Sequence, residues 1–178
     1  PSVVEYSEAI NTFLDKNRDI CLIHASSKHS NLFRNCCNPQ FYCLVGNEAD
    51  RMESVFTNLE NLNGVCVLPP FPRKMGTYIP SAMLNKSFEL KAVTFSDHYT
   101  DSHTAVALQT ALDLGAREVF VAGYDGYPGQ LISGKEQDLI RENNYLFNKA
   151  ANHFERISFV TLSQYDVHNY TSIYYLIS

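Results

Sequence analysis

The sequence predicts an α/β domain: a Rossmann-like, three-layer, doubly wound fold on a mainly parallel sheet. Three observations predict it. Short apolar runs at 20–23, 41–45, 65–68 and 119–122 lack the polar alternation of a half-exposed strand, as strands covered on both faces do. Stretches with helical spacing fall between them, so βαβ units with right-handed crossovers are the simplest connection. A chain of 178 residues, 45% apolar and 19% charged, suits one domain with a substantial core, and no internal repeat or second apolar core divides it.

The elements follow in order. Val3, Tyr6, Ile10, Phe13 and Leu14 stand at helical spacing and predict an amphipathic helix over 3–17. A strand at 20–23 runs into the polar residues His24 to Ser30, and a short helix is expected around Leu32-Phe33. A second strand at 41–45 is followed by Gly46-Asn47 and a helix over 48–59. The third strand, 65–68, is stopped by Pro69-Pro70, and across 71–86 Pro72, Gly76 and Pro80 forbid long regular structure. A fourth strand is expected within 88–95. Val106, Leu108, Ala111 and Leu112 mark a helix over 103–114 that Gly115 closes. The run 119–122 leads into Gly123-Tyr124-Asp125-Gly126. Ser133 with Glu136 forms a capping box for a long helix reaching about His153. A last central strand at 157–162 and an edge strand within 170–177 complete the prediction.

Charge excludes some partners. Fourteen Lys and Arg against nineteen Asp and Glu leave a net charge of −5, which argues against nucleic acid and anionic membranes. No apolar stretch approaches the roughly 20 residues of a membrane span, and no signal peptide is visible, so a soluble, cytoplasmic protein is expected. The opening Pro1-Ser2 lacks an initiator Met, which fits a trimmed tag, a processed precursor or a domain cut from a longer polypeptide. The five cysteines are odd in number and form no CxxC pair, so neither zinc nor a disulfide framework is expected. Cys21, Cys43 and Cys66 lie in apolar runs and read as small buried hydrophobes, and the vicinal Cys36-Cys37 reads as a helix end.

Ligands of open parallel sheets bind beyond the carboxyl ends of the strands, and that rule nominates the candidate site. After the first strand come Ser26, Ser27, Lys28 and His29, where hydroxyls, a cation and free N–H groups can hold an anion; the alternative is an N-cap serine beside a solvated lysine. Asn47 follows the second strand. Gly123, Asp125 and Gly126 follow the 119–122 run, with Asp125 placed to hold a ribose or sugar hydroxyl or, alternatively, to close an Asx turn. Asp97, His98, Asp101 and His103 have the residue types of a metal site without HxH or HExxH spacing, so helix capping by Asp101, Ser102 or Thr104 is the competing reading and no metal is expected; Asp97, His103 and Thr104 are instead ligand-binding candidates. His29 with Asp125 or Asp97 is a candidate acid–base pair. His153 and His168 read as structural, and the eleven tyrosines as packing.

Three segments carry a resemblance. Ile23-His24-Ala25-Ser26-Ser27-Lys28-His29, Leu68-Pro69-Pro70-Phe71-Pro72-Arg73-Lys74-Met75-Gly76-Thr77-Tyr78-Ile79-Pro80 and residues 107–127 together resemble the C-terminal domain of bacterial putative aldolases. Those proteins carry an N-terminal barrel similar to HMG-CoA lyase and 4-hydroxy-2-oxovalerate aldolase. The resemblance implies an accessory, small-molecule-binding or regulatory domain beside a lyase barrel. The barrel's divalent metal and its HxH pair have no counterpart here, so no cofactor is expected in this chain, and alone it should not cleave a carbon–carbon bond. Residues 105–127 also resemble the core of sialyltransferase-related glycosyltransferases, whose first loop is Gly-rich where this chain has Ala25-Ser26-Ser27-Lys28. Three functions follow as expectations: a module holding a small anionic molecule (a nucleotide, sugar phosphate or 2-oxo acid), a transferase using a nucleotide sugar with Asp125, His98 or His103 as base, or a structural oligomerisation module.

Overall fold

A computed structural model describes the chain apart from residues 74–76, 128–132 and 168. Strands β1 (Leu22–His24), β2 (Gln40–Cys43), β3 (Val65–Leu68) and β4 (Ser87–Glu89) form a parallel sheet in that spatial order. Strands β5 (Glu118–Val121) and β6 (Arg156–Phe159) form a second parallel pair, with Val119 opposite Ile157. The chain is thus α/β with parallel strands throughout its described sheets, compatible with a Rossmann-like fold.

Side-chain packing joins the two sheets. Successive residues of a strand point to opposite faces, and the partners of β1 and β5 match. Ile23 packs into the same cluster as Val119 and Val121, while Leu22 shares the opposite cluster with Phe120 and Ala122. On the first face lie α4 (His103–Asp113) and α5 (Gly134–Ala150), burying Ala105, Leu108, Leu146, Phe147 and Ala150 against Val121, Ile157 and Phe159. The other face is covered by α2 (Ser7–Lys16) and α6 (Ile173–Ile177) over Phe120 and Val160, and by α3 (Glu48–Val55) over Tyr42, Leu44 and Cys66. Each buried Leu, Met or Phe in these layers contributes about 1.5–3 kcal/mol. Among the described residues no helix is long and apolar enough to cross a membrane.

Local chemistry explains both agreements and departures. The capping box forms as the spacing predicts: Ser133 N–H donates to Glu136 at 2.8 Å and Glu136 N–H to Ser133 Oγ at 3.3 Å. At the end of α4, Gly115 has φ +74°, and Gly115 N–H to Leu112 O with Ala116 N–H to Ala111 O completes a Schellman cap. The helix expected over 3–17 is instead α1 (Ser2–Glu5) and α2, divided at Tyr6, where the Ser7 hydroxyl donates to Val4 O at 2.9 Å and competes with the helical ladder. Helix α3 stops at Val55 because Phe56 turns extended and packs edge-on against Tyr42. The strand expected within 88–95 is only β4. Beyond it Thr94 N–H is taken by the Gln109 side chain at 2.7 Å, which removes the donor a ladder would need. The last central strand ends at Phe159 rather than Leu162.

The tail departs most. The expected edge strand within 170–177 is reduced to one bridge between Phe159 and Tyr170. Helix α6 follows, capped by Ser172 and docked through Ile173, Leu176 and Ile177 on the cluster that α2 fills. Cys21, expected to be buried, is exposed just ahead of β1, whereas Cys36, Cys43 and Cys66 are buried free thiols.

Candidate functional site

The carboxyl ends of β1 and β2 and the start of α4 converge on one carboxylate, that of Glu48. Gly46, at φ +59°, turns the chain out of β2, and Glu48 opens α3. Its side chain is 1% exposed, so the charge must be satisfied inside the protein. Ser27 supplies its N–H at 2.8 Å and its hydroxyl at 2.9 Å, the Ser26 hydroxyl lies at 3.4 Å, and Arg51 one turn along α3 pairs with it directly. The Nε2 of His103, first residue of α4, lies 3.3 Å away. Burial pushes the Glu48 carboxyl up, but the bonds from His103 and Ser27 and the charge of Arg51 outweigh it, and the net shift is downward. The carboxylate also stands at the positive ends of α3 and α4.

The anion-holding chemistry read from Ser26 and Ser27 is therefore present, and it holds the protein's own anion. Lys28 is exposed at the rim, its N–H directed at Ser26 Oγ at 3.4 Å. His29 is partly buried, and burial together with Lys28 lowers its proton affinity. Asn47 is exposed and makes no side-chain cap bond to α3. His103 is 41% exposed and Arg51 37%, so both face solvent while touching the buried charge.

A second carboxyl group joins from α5. Glu142 is partly buried beside Ser102 and His103; burial raises its proton affinity more than the Ser102 bond and His103 lower it. The two carboxyl groups near His103 are thus pushed in opposite directions, a pattern that in active sites separates a charged role from a neutral one.

The carboxyl ends of β5 and β6 are built differently. Asp125 accepts the N–H of Ser2 at 2.9 Å and also its hydroxyl, so the hydroxyl it holds belongs to the chain itself. Burial works against its charge, but the Ser2 donors outweigh it and lower its proton affinity. Gly123 and Gly126 have φ of +78° and +81°, and a Cβ on Gly123 would collide with Val3. Thr104 is buried and donates to Asn143 Oδ1 at 2.5 Å. Its proton so spent, Thr104 accepts from Tyr124 at 3.1 Å, and Asn143 donates onward to the Tyr165 hydroxyl at 3.0 Å. Burial pushes the Tyr124 phenol well above its usual range.

Of the remaining nominees, Asp97 is exposed and accepts from Tyr145 at 3.0 Å, a bond that holds its carboxyl low, with His98 3.8 Å away. Among the described residues no group of three His, Cys, Asp or Glu side chains is placed to hold a metal. His168 lies outside the described residues. A shallow hollow beside β6, lined by Phe147, Phe159, Asp166 and Asn169, shares no residue with the Glu48 cluster. Glu48, Arg51 and Glu142 were not nominated from the sequence. The signal available for Glu48 was its place directly after Gly46-Asn47, in a loop already nominated; Glu142 lies mid-helix and carries no such signal.

No family model, no curated protein and no solved structure matches this chain.

Proposed function

We propose that this chain is a small-molecule-binding module that takes an anionic ligand at the carboxyl ends of β1 and β2, working beside an aldolase-like barrel on another part of a longer polypeptide. The observation that carries the reading is the Glu48 cluster. Replacing a buried ion pair by apolar residues is often neutral or stabilising, so folding alone gives little reason to keep Glu48, Arg51 and His103 together. Perturbed charges at strand ends are a mark of ligand sites in open α/β sheets. Lys28 and Arg51 provide cationic groups at the rim, and Ser26 and Asn47 provide hydrogen-bonding groups for a nucleotide, sugar phosphate or 2-oxo acid. A cytoplasmic location suits such a ligand.

A thermal-shift panel of those three ligand classes and of nucleotide sugars tests the reading. A ligand at about 100 times its dissociation constant should add roughly 2.7 kcal/mol, several degrees in melting temperature. Lys28→Ala should abolish the shift while leaving the unliganded protein unchanged. A flat panel would sink the binding reading and favour an oligomerisation module.

One observation favours the transferase reading as the second choice. Of its three candidate bases, Asp125 is engaged by Ser2 and His98 stands exposed, whereas His103 rests on a buried carboxylate, as an oriented base does. Release of free nucleotide from a nucleotide sugar, lost in His103→Ala, would promote it to first place.

A further inference from the structure

Arg51 is held at these strand ends in a fixed orientation. Its Nη1 donates to Ser26 Oγ at 3.0 Å and to the buried Glu48 Oε1. Those two acceptors lie 3.4 Å from each other. The Ser26 oxygen also faces Lys28 N–H at 3.4 Å, so the guanidinium and the chain at Lys28 meet on one hydroxyl. A guanidinium carries its N–H donors in a rigid plane. Both Nη1 protons are spent on Ser26 and Glu48. The Nε–H and the adjacent Nη2–H remain, parallel to each other along the edge away from Nη1, and among the described residues no group accepts from either. The side chain is 37% exposed, which leaves those donors within reach of a ligand.

This division of donors decides the shape of the partner. Two parallel N–H groups match two oxygens held in one plane, the bidentate geometry of a carboxylate. A phosphoryl group offers a similar pair of oxygens, and charge decides between the two. Glu48 touches the guanidinium and offsets most of its field, which leaves the Lys28 ammonium, whose chain starts at the same hydroxyl. A carboxylate brings a single negative charge, whereas a phosphate monoester brings about 1.5–2. The additional charge would stand against Glu48 without a cation to meet it.

We propose that Arg51 is the specificity-determining residue of this site and that it reads a monoanionic carboxylate, bound side-on through Nε–H and Nη2–H. The proposal rests on the strand-end binding reading and narrows its ligand to the 2-oxo acid class, setting aside nucleotides and sugar phosphates. It also gives the buried Glu48 a use: with one face of the guanidinium's donor set tied down, the free edge is presented to the ligand in a single plane, and less side-chain entropy is lost when the ligand binds.

Pyruvate is the probe, with methyl pyruvate, its uncharged ester, and glucose 6-phosphate as comparators, all titrated calorimetrically at about pH 8, where the phosphate is doubly charged. Pyruvate should bind the wild-type protein at least about tenfold more tightly than either comparator. Arg51→Lys keeps the charge and loses the fork, and should weaken pyruvate by roughly 10- to 100-fold, with a melting curve of the unliganded variant showing that it is folded. A second measurement needs no variant: the Arg51 Nε–H signal in a heteronuclear NMR spectrum, assigned through its own side chain, should move downfield as pyruvate is added. An unmoved Nε–H signal at pyruvate saturation, or undiminished pyruvate affinity in folded Arg51→Lys, would overturn the fork and leave the binding reading standing. Glucose 6-phosphate or methyl pyruvate binding as tightly as pyruvate would overturn the carboxylate assignment and likewise leave the site in place. No binding of any of the three probes would sink the anion-binding reading itself, and the fork with it.

Discussion

At the carboxyl ends of β1 and β2 the polar side chains gather around a buried charge, whereas at those of β5 and β6 they are mostly hydroxyls and amides. The charged group collects around Glu48 and keeps two members, Arg51 and His103, partly in solvent. The neutral group, Thr104, Asn143, Tyr124 and Tyr165, closes on itself: the Thr104 proton goes to Asn143, an Asn143 proton to Tyr165 and the Tyr124 proton to Thr104. Both sit at the strand ends where α/β sheets bind ligands, and α4 contributes adjacent residues to each, His103 to one and Thr104 to the other. The difference separates two uses of buried polarity. A satisfied neutral network fixes how α4 and α5 dock and offers little to a ligand. A buried charge with half-exposed partners retains groups that a ligand can reach.

The largest expected effect comes from removing the charge at the centre. Glu48→Ala should cost about 3–5 kcal/mol, because it strands the Ser27 donors, the Arg51 cation and the His103 ring around a cavity. Urea denaturation measures it, and a loss below about 1 kcal/mol would mean that Glu48 does not hold these elements together. Next is acid sensitivity from a third kind of polar group, a buried neutral histidine. His24 donates to Gln40 Oε1 at 3.0 Å and stacks on Tyr42 with ring centres 4.6 Å apart. Burial lowers its pKa from 6.5 to about 4. The unfolded chain therefore binds the proton first: stability is whole above about pH 6.5 and falls by up to about 3 kcal/mol as pH drops towards about 4. His24→Gln should flatten that limb of the stability–pH curve, and an unchanged limb would assign it to other groups.

Smaller effects sharpen the contrast. Thr104→Val should cost about 1–3 kcal/mol by leaving Asn143 and Tyr124 short of a partner, with ligand affinity unchanged. Any large loss of ligand binding in that variant would join the neutral network to the site and erase the distinction drawn above. Lys28→Ala should alter stability by no more than about 0.5 kcal/mol, since the side chain is exposed, yet abolish the ligand-induced thermal shift; the opposite result would make Lys28 a structural residue.

Much of the fold was legible because it is written locally. The third strand, 65–68, is the span expected, since Val65-Cys66-Val67-Leu68 can be satisfied only between two other strands. The Ser133–Glu136 box and the Gly115 cap are short-range hydrogen-bond patterns, and both formed where their residues stand. The tail was misread because Ile173, Tyr174, Tyr175, Leu176 and Ile177 suit a strand by propensity, while a Ser172 cap and docking beside α2 make them a helix. The site was half legible. Ser26 and Ser27 were nominated from strand-end position and His103 from the polar run before its helix, whereas Glu48, their common partner, looked like an ordinary acidic residue in a first helical turn.

The amino-acid sequence by itself determined the parallel α/β class, the order of the central strands and of the helices between them, the Ser133 and Gly115 caps, and the rule that chemistry should gather after β1, β2 and β5. Those follow from periodicity, backbone sterics and hydrogen bonds spanning a few residues. Only the tertiary structure decided which charges meet. Ser27, Glu48, His103 and Glu142 lie far apart along the chain, and the proton affinities of the two carboxyl groups depend on burial and on neighbours brought together by the packing of α3, α4 and α5 around the sheet. Coulomb energies change steeply over such distances and with exclusion of water, and neither quantity exists until the layers close.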